Sequence, residues 1–165
     1  MEMIKAVIVA VTLSISMLIV PFSAYALSGD EQVEFTDALG TGNMKIVKKY
    51  FKNGVNVNDL YFAWSPLQIA ANKGQLKVVQ YLVEKGADVN YKHPITKMTA
   101  MHLAAVDGYE DVTKYLLAHG ADLEMKLRGN VSILRAVTDT GNTKMVDLLV
   151  AAGATDDGCQ AEKCN

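Results

Sequence analysis

The chain has 165 residues, 16 of them basic and 18 acidic, for a formal net charge of −2. That balance offers phosphate no overall attraction and excludes a protein held to nucleic acid by its bulk charge. Half of the residues (50%) are apolar, a share raised by the amino-terminal segment, yet the remainder keeps enough Leu, Val, Ile and Ala for a continuous core.

At the amino terminus, Lys5 precedes an uncharged stretch from Ala6 to Gly29, apolar as far as Val20 and broken by Pro21. Ala24-Tyr25-Ala26 then supplies small residues around a scissile bond. This layout predicts a secretory signal peptide over 1–26, cleaved after Ala26. The alternative is an uncleaved anchor, since 24 uncharged residues are long enough to span a bilayer. Pro21 and the polar Thr12, Ser14, Ser16 and Ser23 weigh against a permanent span. Loss of Glu2 with Lys5 leaves the net charge at −2. Either outcome delivers the rest of the chain beyond the cytoplasm: to the periplasm, or alternatively to the exterior or to the outer face of the inner membrane.

Beyond this segment one phrase recurs. Gly-Val-Asn-Val-Asn at 54–58 is followed by Gly-Ala-Asp-Val-Asn at 86–90, Gly-Ala-Asp-Leu-Glu at 120–124 and Gly-Ala-Thr-Asp-Asp at 153–157. The leading glycines are 32, 34 and 33 residues apart, and each has a companion 12 residues upstream: Gly42, Gly74, Gly108 and Gly141. A period of this length signals stacked supersecondary units. In the clearest unit, Ser65 and Pro66 begin a short apolar segment ending at Gly74, and Leu76, Val78, Val79, Leu82 and Val83 build a second that ends at Gly86. Ser65 suits an N-cap, Pro66 a first turn, and glycine the residue after a helix. Asn43 and Asn142 suit the caps of the second helices in their units, and Ser28 or Asp30 the start of the first helix. Each unit is predicted to be helix, tight turn, helix and extended connector.

These residues resemble the ankyrin repeat. The family pattern of Thr-Pro-Leu-His, Ala-Ala, Gly, an apolar helix and Gly-Ala-Asp is matched closely at 65–90 and again at 99–124, where Thr99-Ala100-Met101-His102 holds the tetrapeptide place. Ser132-Ile133-Leu134-Arg135 and Val33-Glu34-Phe35-Thr36 occupy it in degenerate outer units. The resemblance implies an all-α solenoid of four helix-turn-helix units with β-turn finger connectors. The expected partition is a capping repeat at 27–58, repeats at 59–90 and 91–124, a second capping repeat at 125–157 and a Cys-containing tail at 158–165. It also implies that His102 ties neighbouring loops together, and that Asp88 and Asp122 satisfy backbone groups in their turns.

Chemistry is hard to find. Cys159 and Cys164, the only cysteines, lie beyond the last repeat. In an oxidising compartment they favour a local disulfide, whose small ring would restrict the unfolded chain by roughly 2 kcal/mol. Free or intermolecular thiols are the alternative. The spacing does not match thiol–disulfide catalysts, and two thiols without a nearby His cannot complete a tetrahedral metal site. His119 falls in the last turn of a helix, where positive charge is favourable, and His93 is expected to be solvent-exposed in a connector. No nucleophile motif, phosphate-cradling loop or paired-carboxylate frame is present, so neither catalysis nor a cofactor or metal is expected. Lys45, Lys48, Lys49 and Lys52 read as the solvated face of an amphipathic helix.

What remains is binding. By the resemblance, contacts cluster on the finger tips and on the exposed ends of the first helices. The fingers at 59–64, 91–98 and 125–131 offer Tyr61, Phe62 and Trp64, then His93, Ile95 and Met98, then Lys126 and Arg128. The helical wall adds Asn72, Lys73, Val106 and Asp107. Large exposed aromatics are common interface hot spots, so the aromatic finger leads this set. The expected function is a non-catalytic, exported, monomeric module that binds one protein partner, with no nucleic-acid role and membrane contact only if residues 1–26 are retained. Inhibition of a periplasm-acting toxin or enzyme, and scaffolding from a membrane anchor, stand as alternatives.

Overall fold

The computed structural model describes residues 27–155, and Ala26, Cys159 and Cys164 lie outside that range. Helices come in pairs: α1 (Gly29–Thr41) with α2 (Met44–Lys52), α3 (Pro66–Ala71) with α4 (Leu76–Glu84), α5 (Ala100–Val106) with α6 (Glu110–Ala118), and α7 (Ile133–Thr140) with α8 (Thr143–Ala151). A short 3-10 turn at Arg128–Asn130 interrupts the last connector. Among the described residues the only extended pairing is an isolated bridge between Tyr61 and Trp64.

Local chemistry sets these boundaries. The Ser28, Ser65, Thr99 and Ser132 side chains each accept a backbone N–H at the start of a first helix. Asn43 and Asn142 do the same for α2 and α8. Losing such a cap costs about 1 kcal/mol. Between the helices of a pair the chain turns through a left-handed glycine. Gly74, at φ +64°, also admits a neighbour: a Cβ placed there would collide with the Tyr109 ring.

Helices α1, α3, α5 and α7 pack successively in one layer, with α2, α4 and α6 successive in a second. Val78, Val79 and Leu82 of α4 are fully buried in the core, as are Met101, Leu116, Ile133, Met145 and Leu149 further along. Each such side chain contributes about 1.5–3 kcal/mol by leaving water. Phe35 anchors the amino-terminal end, its ring 5.1 Å from that of Tyr50 and 5.3 Å from that of Tyr61. The result is an all-α solenoid with one continuous core. On α2 the four lysines face outward, and Lys49 pairs with Glu34 at 3.3 Å.

Two polar devices stitch unit to unit. Gln68 accepts the Ser65 N–H through Oε1 (3.1 Å) and donates through Nε2 to the Met98 carbonyl of the next connector (2.8 Å). His102 does the same one repeat later. Its Nε2 lies 3.0 Å from the Met125 carbonyl and must carry the proton, leaving Nδ1 to accept the Thr99 N–H at 3.1 Å. The second device is an asparagine ladder. Asn58 accepts from Asp88 N–H (2.8 Å) and donates to the Gly86 carbonyl (3.3 Å). Asn90 repeats this with Asp122 N–H (3.0 Å) and the Gly120 carbonyl (2.9 Å). Asp88 and Asp122 accept the N–H groups of Asn90 and Glu124, closing the turns.

Candidate functional site

The first finger carries the least ordinary backbone among the described residues. Tyr61 and Trp64 exchange backbone hydrogen bonds of 2.8 and 3.0 Å, with Phe62 and Ala63 between them. Such a two-residue connection needs positive φ at both central positions, usually supplied by Asn-Gly. Here Phe62 sits at φ +52° and Ala63 at +68°. For residues with a Cβ this costs about 1–2 kcal/mol each, and it persists only where the surroundings over-determine it.

Those surroundings are visible. The Tyr91 hydroxyl donates to the Ala63 carbonyl at 3.0 Å. Trp64 stacks on His93 with ring centroids 4.1 Å apart. Tyr61 is wedged against Phe35 in the core, and burial, followed by the nearby Asp59 charge, pushes its phenol up to about 12. Held this way, the turn presents Phe62 to solvent, 80% exposed. Trp64, two residues further on, lines a groove of about 200 Å³ with Gln68, Ile69, Asn72 and Lys73.

The structure therefore brings Trp64, Asn72 and Lys73 together around one concavity, and Phe62 shares the finger that carries Trp64. It places two expected contact residues elsewhere. Tyr61 is 6% exposed and belongs to the core, so it is a brace for the finger and no contact residue. His93, expected in solvent, is likewise 6% exposed. Trp64 covers its ring, and its Nδ1 accepts the N–H groups of Ile95 and Thr96 at 3.3 Å. Ile95 remains 66% exposed. Met98 is half-buried, its carbonyl occupied by Gln68 and by the His93 N–H. Val106 (half-buried) and Asp107 (exposed) stand at the end of α5, Lys126 is half-buried, and Arg128 is exposed. Arg128 N–H donates to the Thr96 carbonyl at 3.1 Å and so joins the second and third fingers.

Sequence reasoning missed Gln68 and Ile69 as groove residues. Gln68 occupies the histidine place of the tetrapeptide, and that correspondence was the available signal. The other histidines are structural. His119 ends α6, its Nδ1 2.8 Å from the Tyr115 carbonyl and its ring stacked on Tyr115. Burial drives His102 down to about 4, partly opposed by its bond to Met125. Among the described residues no group of three His, Cys, Asp or Glu side chains is placed to hold a metal ion, and no helix is long and apolar enough to cross a membrane.

Comparison with known proteins agrees with this architecture. A family model for ankyrin repeats in three copies matches residues 36–127, more than half of the chain. The chain is 33% identical over 58 residues to mouse "Ankyrin repeat, SAM and basic leucine zipper domain-containing protein 1", covering 34% of this chain and 12% of the relative. It is 33% identical over 109 residues to the Caenorhabditis elegans "Ankyrin repeat and KH domain-containing protein mask-1", covering 66% of this chain and 4% of that protein. With rat "Ankyrin repeat and SAM domain-containing protein 6" it shares 34% identity over 118 residues, or 69% of this chain and 13% of the relative. The chain thus spans only a small part of the length of the relatives it matches.

Proposed function

Since the chain belongs to the ankyrin repeat family, whose repeats are generally non-catalytic protein-interaction modules, we propose that it binds one protein partner through its first finger and the groove beside it. The observation that carries this reading is the braced turn at Phe62 and Ala63. A fold that holds two residues in left-handed backbone in order to leave a phenylalanine 80% exposed gains nothing in stability from doing so. Strain of this kind is characteristic of ligand clamps, and a rigid exposed aromatic is what an interface hot spot requires. The groove accepts part of the partner, with Ile69 and Trp64 supplying apolar contact and Asn72 and Lys73 orienting it. The protein acts by lending shape, with no bond made or broken.

The site of action belongs to the same proposal. The uncharged stretch from Ala6, the break at Pro21 and the small residues at 24–26 support export and cleavage after Ala26, placing the repeats in the periplasm. Amino-terminal sequencing of the protein from fractionated cells is expected to begin at Leu27. Intact protein starting at Met1 in the cytosol would overturn export. Affinity capture from the cell envelope, with the full chain and its Phe62→Ala variant, tests the surface. A partner retained by the parent and lost by the variant is expected, and undiminished capture by Phe62→Ala would sink the choice of face.

A further inference from the structure

We propose that the occupant of this surface is an acidic protein segment, an apolar side chain flanked by carboxylates; the inference rests on reading the finger face as a binding surface and adds the chemistry of what binds. The second and third fingers, 91–98 and 125–131, contain no Asp or Glu and offer Lys92, Lys97 and Arg128. Lys92, Lys97 and Arg128 are exposed, and among the described residues none of the three takes part in an ion pair. The bond from Arg128 N–H to the Thr96 carbonyl ties these two fingers together, and the bond from Tyr91 to Ala63 ties the second to the first. Cations and apolar anchors are therefore mounted on one linked set of loops, Phe62 and Ile95 being the two most exposed large apolar side chains among the described residues.

The acids around this rim are engaged elsewhere than with Lys92, Lys97 and Arg128. Asp88 and Asp122, at the base of the fingers, accept backbone N–H groups in their own turns. Asp59 accepts the Asn56 N–H at 3.2 Å. Asp107 lies on the helical wall, and Asp139 is paired with Arg135 at 3.0 Å. Among the described residues none of these carboxylates forms an ion pair with Lys92, Lys97 or Arg128. A partner that covers Phe62 and Ile95 also removes water from the neighbouring cations. Burying unpaired charge is costly, so the surface that fits brings carboxylates of its own. Such pairing governs specificity and the rate of encounter, and it weakens as salt screens it.

The test is a displayed library of random twelve-residue peptides panned against the full-length chain, followed by fluorescence anisotropy of the enriched peptides. Peptides carrying net negative charge around an aromatic or aliphatic residue are expected. Their affinity should fall at least tenfold for the charge-reversal variant K92E/R128E, fall steeply with added salt, and be lost in Phe62→Ala. Circular dichroism of each variant confirms that it folds. Enriched peptides that depend on Phe62 but carry no net negative charge, or bind K92E/R128E equally, would overturn the inference and leave the surface reading standing. Peptides indifferent to Phe62, or no enrichment over the bare support, would overturn both. Displacement of the peptides by a random-sequence oligonucleotide at lower concentration than by an acidic competitor would assign the cations to phosphate instead and also overturn the inference.

Discussion

The hydroxyl of Tyr91, in the second finger, donates a hydrogen bond to the carbonyl of Ala63, in the first, across 3.0 Å. Ala63 is one of the two residues held in left-handed backbone at the fingertip. A side chain from one repeat thereby helps to fix a strained turn in its neighbour. Removing the hydroxyl with Tyr91→Phe leaves the ring and deletes the bond. The expected loss is about 1 kcal/mol in denaturant unfolding, with faster proteolytic cleavage near Phe62. An unchanged cleavage rate would show that the turn does not depend on this clamp.

The strain itself can be relieved. At φ +68° a glycine pays no Cβ penalty, so Ala63→Gly is expected to stabilise the fold by about 1 kcal/mol. For a domain of this size that corresponds to a rise of about 3 °C in Tm. Phe62 remains in place, so binding survives. A lower Tm would mean that the backbone at Ala63 is not strained.

His102 makes stability depend on acid. Its folded value of about 4 lies below the ordinary 6.5, so between these pH values the unfolded chain binds more protons than the folded one. The stabilisation is fully present above pH 6.5, declines as pH falls, and is exhausted near pH 4, a change of about 3 kcal/mol. His102→Gln copies the arrangement already seen at Gln68, an amide that both accepts and donates. Urea titrations of the variant at pH 7 and pH 5 are expected to differ far less than those of the parent. An equal pH dependence in the two proteins would assign the acid sensitivity to other groups.

The asparagine ladder stops where Glu124 replaces the asparagine expected from 58 and 90. A carboxylate can accept a backbone N–H but cannot donate to the carbonyl beside it. Glu124→Asn is therefore expected to extend the ladder to the last repeat and stabilise it by about 1 kcal/mol. Asn90→Ala, which removes both bonds to Gly120 and Asp122, should destabilise by about 1–2 kcal/mol. Hydrogen exchange of α7 and α8 would register both changes, and no change in either variant would remove the ladder from the account of repeat coupling.

Much of this was legible in the residues because its causes are local. A serine or threonine ahead of an apolar run caps a helix whatever lies around it. A glycine at fixed spacing takes positive φ because no neighbour has to permit it, and a period of about 33 residues admits few architectures. Helix order, the turn glycines and the capping roles of Ser28, Asn43, Ser65 and Asn142 all rest on such short-range chemistry.

The contact surface was decided by neighbours far apart in sequence. Three aromatics within four residues looked equivalent along the chain. Only the packing of Phe35 draws Tyr61 inward, only the ring of His93 covers one side of Trp64, and only the backbone turn between them sends Phe62 out. His93 was misjudged for the same reason, since its shelter comes from a tryptophan in the preceding repeat. Local composition fixes what a side chain can do, whereas its accessibility depends on which repeat is stacked against it, and that depends on the tertiary fold.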